Sequence, residues 1–255
     1  MKLEDKISLY YTSLTKSEKK VYQAVTKNPQ TIINNSIQKA AKDLGVSVAS
    51  IQRFINKLEY SGYPEFKLAL QKQEESKKQH PSTLSTHNPI IHAYIRSFHL
   101  LENLDLDNFL KPLIKDLREF QNIKSIGNGN TALSAKQLVY SMYSEDKFLD
   151  AVDTSIKIDY LANSVDKNTL LIIFSVTAPQ STYGKLIKKA RERGVRTYLI
   201  TMNQESKLLS QVSNSIVLPS THVEHDDNTL HRVDSRAVLY VFAEMISYYY
   251  AIGLK

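Results

Sequence analysis

Between Ser36 and Leu58, in SIQKAAKDLGVSVASIQRFINKL, apolar residues recur at helical spacing and predict two short helices joined by a tight turn. Ile37, Ala40, Ala41 and Leu44 share one face of the first helix, and Val48, Ile51, Ile55 and Leu58 share one face of the second. Gly45 suits the left-handed residue that ends a helix, and Ser47 suits the N-cap that opens the next. The pattern is that of a helix-turn-helix. Turned away from the apolar stripe are Ser50, Gln52, Arg53, Asn56 and Lys57, side chains able to donate hydrogen bonds to base edges and phosphates. A helical hairpin with a solvated polar face has the same spacing, so the pattern alone leaves both readings open.

Further helices surround this pair. Leu3 to Leu14 reads as one, Thr15 and Glu18 fit a capping box for the next, and Val21, Tyr22, Ala24 and Val25 give that helix an inward face that ends at Asn28-Pro29. Pro64, at a first-turn position, opens another helix carrying Phe66, Leu68 and Leu70. An all-helical domain over residues 1–78 follows, with a Ser/Thr/Pro-containing linker over 79–89. Residues 90–255 have a different texture. Ile123 to Ile126, Leu170 to Phe174, Thr197 to Ile200 and Ile216 to Leu218 read as strands, and Phe148 to Ala151 as another. The run Leu170 to Phe174 is continuously apolar, as a strand buried on both faces must be. Helical patterns separate or precede them at Ile90 to Leu104, Leu106 to Phe120, Thr131 to Ser144, Tyr183 to Glu192 and Ser206 to Ser213, with a long last helix from about His231. Strand alternating with helix predicts an α/β domain with a doubly wound, mainly parallel sheet.

Charge sharpens this division. The chain has 255 residues and a net charge of +7; residues 1–79 hold 14 Lys and Arg against 8 Asp and Glu, and the remainder 19 against 18. A basic small domain beside a neutral larger one is expected where only the first meets a polyanion, although a lysine-rich solvated surface would give the same numbers. Cysteine is absent, which removes disulfides, a thiolate nucleophile and cysteine-ligated zinc. Neither the N-terminus nor the apolar run Val238 to Leu254, broken by Glu244, Ser247 and tyrosines, reads as a signal or a membrane span. A cytoplasmic protein is expected.

Candidate chemistry lies in two loops beyond strand ends. Asn128, Gly129, Asn130 and Thr131 form a glycine-rich turn, and Ser175, Thr177, Gln180 and Ser181 belong to a hydroxyl-rich one; together they suit a phosphorylated or hydroxylated small molecule. Ordinary tight turns use the same residues. His222, Glu224, His225, Asp226, Asp227 and His231 offer metal donors, but no pair has the helical i, i+4 setting of a familiar zinc site, and a solvated loop is the simpler reading. No metal, cofactor or catalytic triad is expected, and Ser175 lacks the glycine-flanked elbow of a hydrolase nucleophile.

The segments LTKSEKKVYQAV, SIQKAAKDLGVSVASIQRFINKL and GYPEFKLAL resemble the helix-turn-helix domain of RpiR-family transcriptional regulators. The segments IGNGNTALSAKQL, LLIIFSVTAPQ, KKARERGVRTYLIT and DSRAVLY resemble the sugar isomerase (SIS) domain that the family carries, over nearly the whole chain. The resemblance implies a bacterial regulator that binds double-stranded operator DNA as a homodimer or homotetramer and answers to a sugar phosphate. It places DNA contacts at Ser36, Ser47, Ser50, Gln52, Arg53, Asn56 and Lys57, and the ligand on Asn128, Gly129, Asn130, Thr131, Ser175, Thr177, Gln180 and Ser181. Family members commonly read S-x-S-G-x-T in the second loop. Here Ala178 replaces the glycine and Gln180 the final threonine, with Pro179 between them, which predicts a reshaped or closed cradle. A constitutive DNA-binding protein with a degenerate ligand site, or a phosphosugar isomerase using Glu224, His225 or His231 as base, are the alternatives.

Overall fold

A computed structural model describes residues 3–10, 13–79, 88–223, 233–234 and 236–253. The chain divides into two compact units, Met1–His92 and Ala93–Lys255.

The first unit is helical. α1 spans Leu3–Tyr10, α2 Lys16–Lys27, α3 Gln30–Ile33, α4 Ile37–Leu44, α5 Val48–Lys57 and α6 Tyr63–Gln79. Local chemistry sets these boundaries. The Thr15 side chain accepts from the Glu18 N–H while the Glu18 carboxylate accepts from the Thr15 N–H, closing the capping box of α2. Ser36 caps α4 through the Lys39 N–H, and Gly45 ends it at φ 60° and ψ 41°. Ser47 then caps α5 through the Ser50 N–H. Val21, Ile32, Ala40, Ile51, Phe54, Ile55, Leu58, Phe66 and Leu70 are all buried in one core. Two expectations need correction, and one element goes beyond them. α1 is described over Leu3–Tyr10, and Leu14, expected within it, is not helical; Val48 is 40% exposed where an inward position was expected, and Phe54 occupies the core instead. α3, whose single turn is too short to show a period, places Ile32 beside α6.

α7, Pro89–Glu102, crosses from one unit into the next, so the segment expected as a linker is helical from Pro89, and residues 80–87 lie outside the description. In the second unit α8 spans Asp107–Glu119, β1 Asn122–Ile126, α9 Thr131–Tyr143, β2 Asp150–Val152, α10 Ser155–Ser164, β3 Thr169–Ser175, α11 Gln180–Glu192, β4 Arg196–Thr201 and β5 Asn214–Val217. A short antiparallel pair, β6 His222–Val223 and β7 Val233–Asp234, precedes α12, Ala237–Ile252. The five-stranded sheet is wholly parallel in the order β2-β1-β3-β4-β5. All seven residues of β3 are buried. One sheet face is covered by α8, α9 and α12, and the other by α10 and α11.

Differences from the sequence pattern have local causes. The helix expected over Ser206 to Ser213 is only a 3-10 turn, Leu209–Gln211, because Ser206 Oγ is drawn to the Ala178 carbonyl at 2.9 Å. α10 escapes the pattern because Ile156 and Tyr160 point outward, 67% and 74% exposed, opposite buried Ile158 and Leu161. β2 begins two residues after the expected start, since Phe148 is 71% exposed. The last helix begins at Ala237, and Glu224, His225, Asp226, Asp227 and His231 lie outside the described residues. Among the described residues no helix is long and apolar enough to cross a membrane.

Two positions test this account of local order. Nothing lies within 4 Å of a Cβ built on Gly45, so Gly45→Ala meets only left-handed backbone strain; an unfolding titration should show a loss of about 1 kcal/mol. Asp153 accepts from Lys136 of α9 at 2.8 Å and Lys157 of α10 at 2.7 Å, and these bonds hold its carboxyl down at about 2. A depressed carboxyl stabilises above its ordinary range and loses that contribution as pH falls through about 2. Asp153→Asn should lower the thermal midpoint at pH 7, and the gap from the unsubstituted protein should close near pH 2.

Candidate DNA-reading face and candidate ligand site

α4 and α5 form the helix-turn-helix, with their N-termini set by the Ser36 and Ser47 caps. Ser36, Ser47, Ala49, Arg53 and Asn56 are exposed and Gln52 is half-buried; Gln52 Nε2 donates to Asn56 Oδ1 at 2.9 Å. Ser50 and Lys57 depart from the expected outward face. Ser50 is 4% exposed, with its Oγ 2.9 Å from Ser47 Oγ and 3.3 Å from Arg53 Nη2. Lys57 turns inward, and its Nζ donates to Ser13 O at 2.9 Å and Glu18 Oε2 at 3.1 Å. The physical reason is the buried Glu18 carboxylate, which needs a cation beside it. Burial alone would raise the Glu18 carboxyl; hydrogen bonds from the Thr15 backbone and Lys57 outweigh it and hold it below the usual range. Sequence reasoning missed Val48 and Ala49, which stand exposed on the first turn of α5. The signal was available: with Phe54 counted as core, the apolar stripe rotates and frees Val48.

In the second unit the strand order reverses between β1 and β3: β2 is added on one side of β1, and β3 on the other. The chain leaves β1 through α9 on one face and β3 through α11 on the other, which opens a crevice at their carboxyl ends. A cavity of about 320 Å³ lies there. Asn128, Asn130 and Thr131 line it from the β1 loop, and Ser175, Thr177 and Pro179 from the β3 loop. Thr182 and Tyr183 of α11 and Arg236 at the start of α12 complete it. Gly129, Gln180 and Ser181 do not line this cavity; Gln180 instead folds over Gly184, with its Nε2 2.5 Å from where a Cβ there would sit.

Each loop is held by its own side chains. Thr131 Oγ1 accepts from the Asn128 N–H at 3.1 Å and donates to its carbonyl at 3.0 Å. Gly127 lets this turn close, since a Cβ there would lie 2.4 Å from the Thr131 carbonyl oxygen. In the second loop Ser175 Oγ accepts from the Ala178 N–H at 3.0 Å, and Ala178 adopts φ 42°. The alanine thus takes up the left-handed backbone that favours glycine, at a cost of about 1–2 kcal/mol, and the crevice is open rather than closed. Asn203 Nδ2 and Ser206 Oγ brace the loop through the Thr177 and Ala178 carbonyls, both at 2.9 Å.

Tyr183 lines the crevice together with Thr131 of the first loop and Ser175 of the second. It is 1% exposed; burial pushes its phenol up, and the polar groups of Ser175, Thr131 and the Asn128 backbone partly oppose that. Its position could not be read from the helix pattern, which gives it an ordinary inward place. Arg236 was also missed, although a lone cation at the head of an apolar helix is a signal for one. The N-termini of α9 and α11 and the first residue before α12 therefore meet at one crevice, where the helix dipoles favour an anion. Among the described lining residues there is no carboxylate and no imidazole. Among the described residues no group of three or more His, Cys, Asp or Glu could hold a metal ion.

The sequence model of the helix-turn-helix domain of the rpiR family matches residues 1–77, and that of the SIS domain matches residues 116–245. An uncharacterized HTH-type transcriptional regulator of Clostridium perfringens is 26% identical over 204 residues, covering 75% of this chain and 72% of its own. The HTH-type transcriptional regulator GlvR of Bacillus subtilis is 22% identical over 234 residues, 90% of this chain and 88% of its own. Among solved structures, the Vibrio vulnificus NanR protein complexed with ManNAc-6P has a TM-score of 0.56 at 15% identity, covering 93% of this chain and 87% of that one. The helical unit, the five-stranded parallel sheet and these matches give one assignment: the chain belongs to the rpiR family of helix-turn-helix transcriptional regulators and carries a SIS domain.

Proposed function

We propose that this regulator binds operator DNA through α4 and α5 and that a sugar phosphate in the β1/β3 crevice controls that binding. The convergence of α9, α11 and Arg236 on a hydroxyl-lined cavity carries the ligand half of the reading. A phosphate meets helix N-termini and a guanidinium there, and sugar hydroxyls meet Ser, Thr and Asn side chains. ManNAc-6P in the NanR structure is a ligand of the same chemistry on the same fold. The described lining holds and orients an anion but supplies no carboxylate or imidazole to move a proton between carbons, which favours binding over isomerisation. Glu224, His225 and His231 lie outside the described residues. On the DNA side, Arg53, with a side chain 63% exposed, and the exposed Ser36, Ser47 and Asn56 are placed for phosphates and base edges, while Val48 and Ala49 suit thymine methyl groups. Such a protein works in the cytoplasm, beside its operator.

We further propose that the assembly is a homodimer or homotetramer built on the outer face of α9 and α12. Gln137 bonds Glu244 and Ser247 bonds the Ser141 carbonyl, so the two helices lie in register. That register sets Leu133 near Tyr240 and Tyr140 near Tyr248, all 40% or more exposed, and Tyr140 stacks edge-on with Tyr143. Aromatic side chains of this size expose on the order of 100 Å² each, and contiguous patches of several hundred Å² mark interaction surfaces.

Arg53→Ala should weaken binding to DNA from the promoter neighbourhood and relax preference at one position, measured by fluorescence anisotropy; unchanged binding removes Arg53 from the contact. Thr131→Val should abolish the response to sugar phosphates and leave DNA affinity intact, because Thr131 holds the β1 loop closed. A normal response would put the ligand elsewhere, and a wild-type protein indifferent to every sugar phosphate would make the regulator constitutive. Joint replacement of Tyr140 and Tyr248 by Glu should give a monomer in light scattering; an unchanged mass would reject the α9/α12 face.

A further inference from the structure

Beneath the helix-turn-helix, one carboxylate faces both cations of α5. Glu18 is 1% exposed; its Oε2 accepts from the Thr15 N–H at 2.8 Å and lies 3.1 Å from Lys57 Nζ, while its Oε1 lies 3.9 Å from Arg53 Nε. Capping explains a hydrogen-bonding side chain at this position, but a glutamine serves the same box, so capping does not explain a buried negative charge. α5 does use that charge. Its ten residues contain two cations, Arg53 and Lys57, one turn apart on one face.

The two cations are held differently. Lys57 has a side chain 18% exposed and a second bond, at 2.9 Å, to the Ser13 carbonyl, so its charge is spent inside the fold. Arg53 has a side chain 63% exposed, with its Nε edge turned to Glu18 and its Nη2 donating to Ser50 Oγ at 3.3 Å. Ser50 is in turn fixed by Ser47, whose Oγ is 2.9 Å away. The guanidinium therefore has one hydrogen bond, to Ser50, and one longer ion-pair contact, to Glu18, on its protein side, while most of the side chain stays exposed to solvent. A guanidinium reads guanine through two parallel bonds, which demands orientation, whereas any exposed cation can grip a phosphate.

We propose that Glu18 is a positioning residue for DNA reading: it orients Arg53 toward base edges and offsets its charge, so that Arg53 contributes to sequence choice rather than to indiscriminate phosphate binding. This rests on the DNA-binding reading given above. Ser50, which left the outward face, gains a role as the second support of the same guanidinium.

Duplexes enriched by the wild-type protein from a randomised pool supply the specific probe, and a shuffled duplex of equal composition the nonspecific one. Glu18→Gln keeps the cap and removes the charge. It should tighten binding to the shuffled duplex, steepen its salt dependence by about one counterion, and lower the ratio of specific to shuffled affinity about tenfold. With Arg53→Ala already present, Glu18→Gln should leave the ratio unchanged. Glu18→Asp keeps the charge and should hold a ratio above that of Glu18→Gln, and it provides the comparison should the glutamine variant fold poorly; thermal midpoints of all variants set the titration temperature. Loosening of both duplexes by the same factor would mean a purely structural role and would overturn the proposal, as would an unchanged ratio or a fall that persists without Arg53. A wild-type protein that enriches no sequence removes the DNA-reading assignment itself, and the positioning role falls with it.

Discussion

Strand β3 is buried along all seven residues, and the second unit is arranged around that demand. A strand with apolar side chains on both faces needs helices on both sides of its sheet, and right-handed crossovers then send α9 and α11 to opposite faces. The crevice between the ends of β1 and β3 is a consequence of this reversal. Helix N-termini arrive there because each crossover helix must begin where its strand ends. The crevice and the helix N-termini around it thus follow from core burial, and the loop residues refine its lining.

That refinement includes strain. Ala178 holds a left-handed φ where glycine would be unstrained, and it does so within a tight set of supports: Ser175 Oγ on its N–H, and Ser206 Oγ on its carbonyl. Tyr183 of α11 lines the crevice beside residues of both loops. To alter transcription, a ligand must bind two arrangements of the protein with different affinity, typically by about 1–3 kcal/mol.

Much of this was legible in the chain. The continuous apolar run gave β3, the capping box at Thr15 and Glu18 gave the start of α2, and Gly45 followed by Ser47 gave the turn between α4 and α5, because these features act within a few residues of themselves. What pattern could not give was long-range. Lys57 looked outward by period and is turned inward by a carboxylate 39 residues earlier. Ser206 looked helical and is recruited by a loop 28 residues earlier. Arg236 and Tyr183 reach the crevice only because the fold brings α12 and α11 to it. That Asn128, Asn130, Thr131, Ser175 and Thr177 line the crevice was readable, because the loops after adjacent strands meet beyond the carboxyl ends of a parallel sheet.

The claim that joins the two units is that a sugar phosphate changes DNA binding. Its most direct measurement is a fluorescence-anisotropy titration of the whole protein on DNA from its own promoter neighbourhood, with and without a panel of sugar phosphates. One or a few compounds should shift the dissociation constant about 5- to 150-fold, the range set by a coupling of about 1–3 kcal/mol. Sequence-specific binding that no sugar phosphate alters, together with no change in thermal stability on adding them, would contradict it.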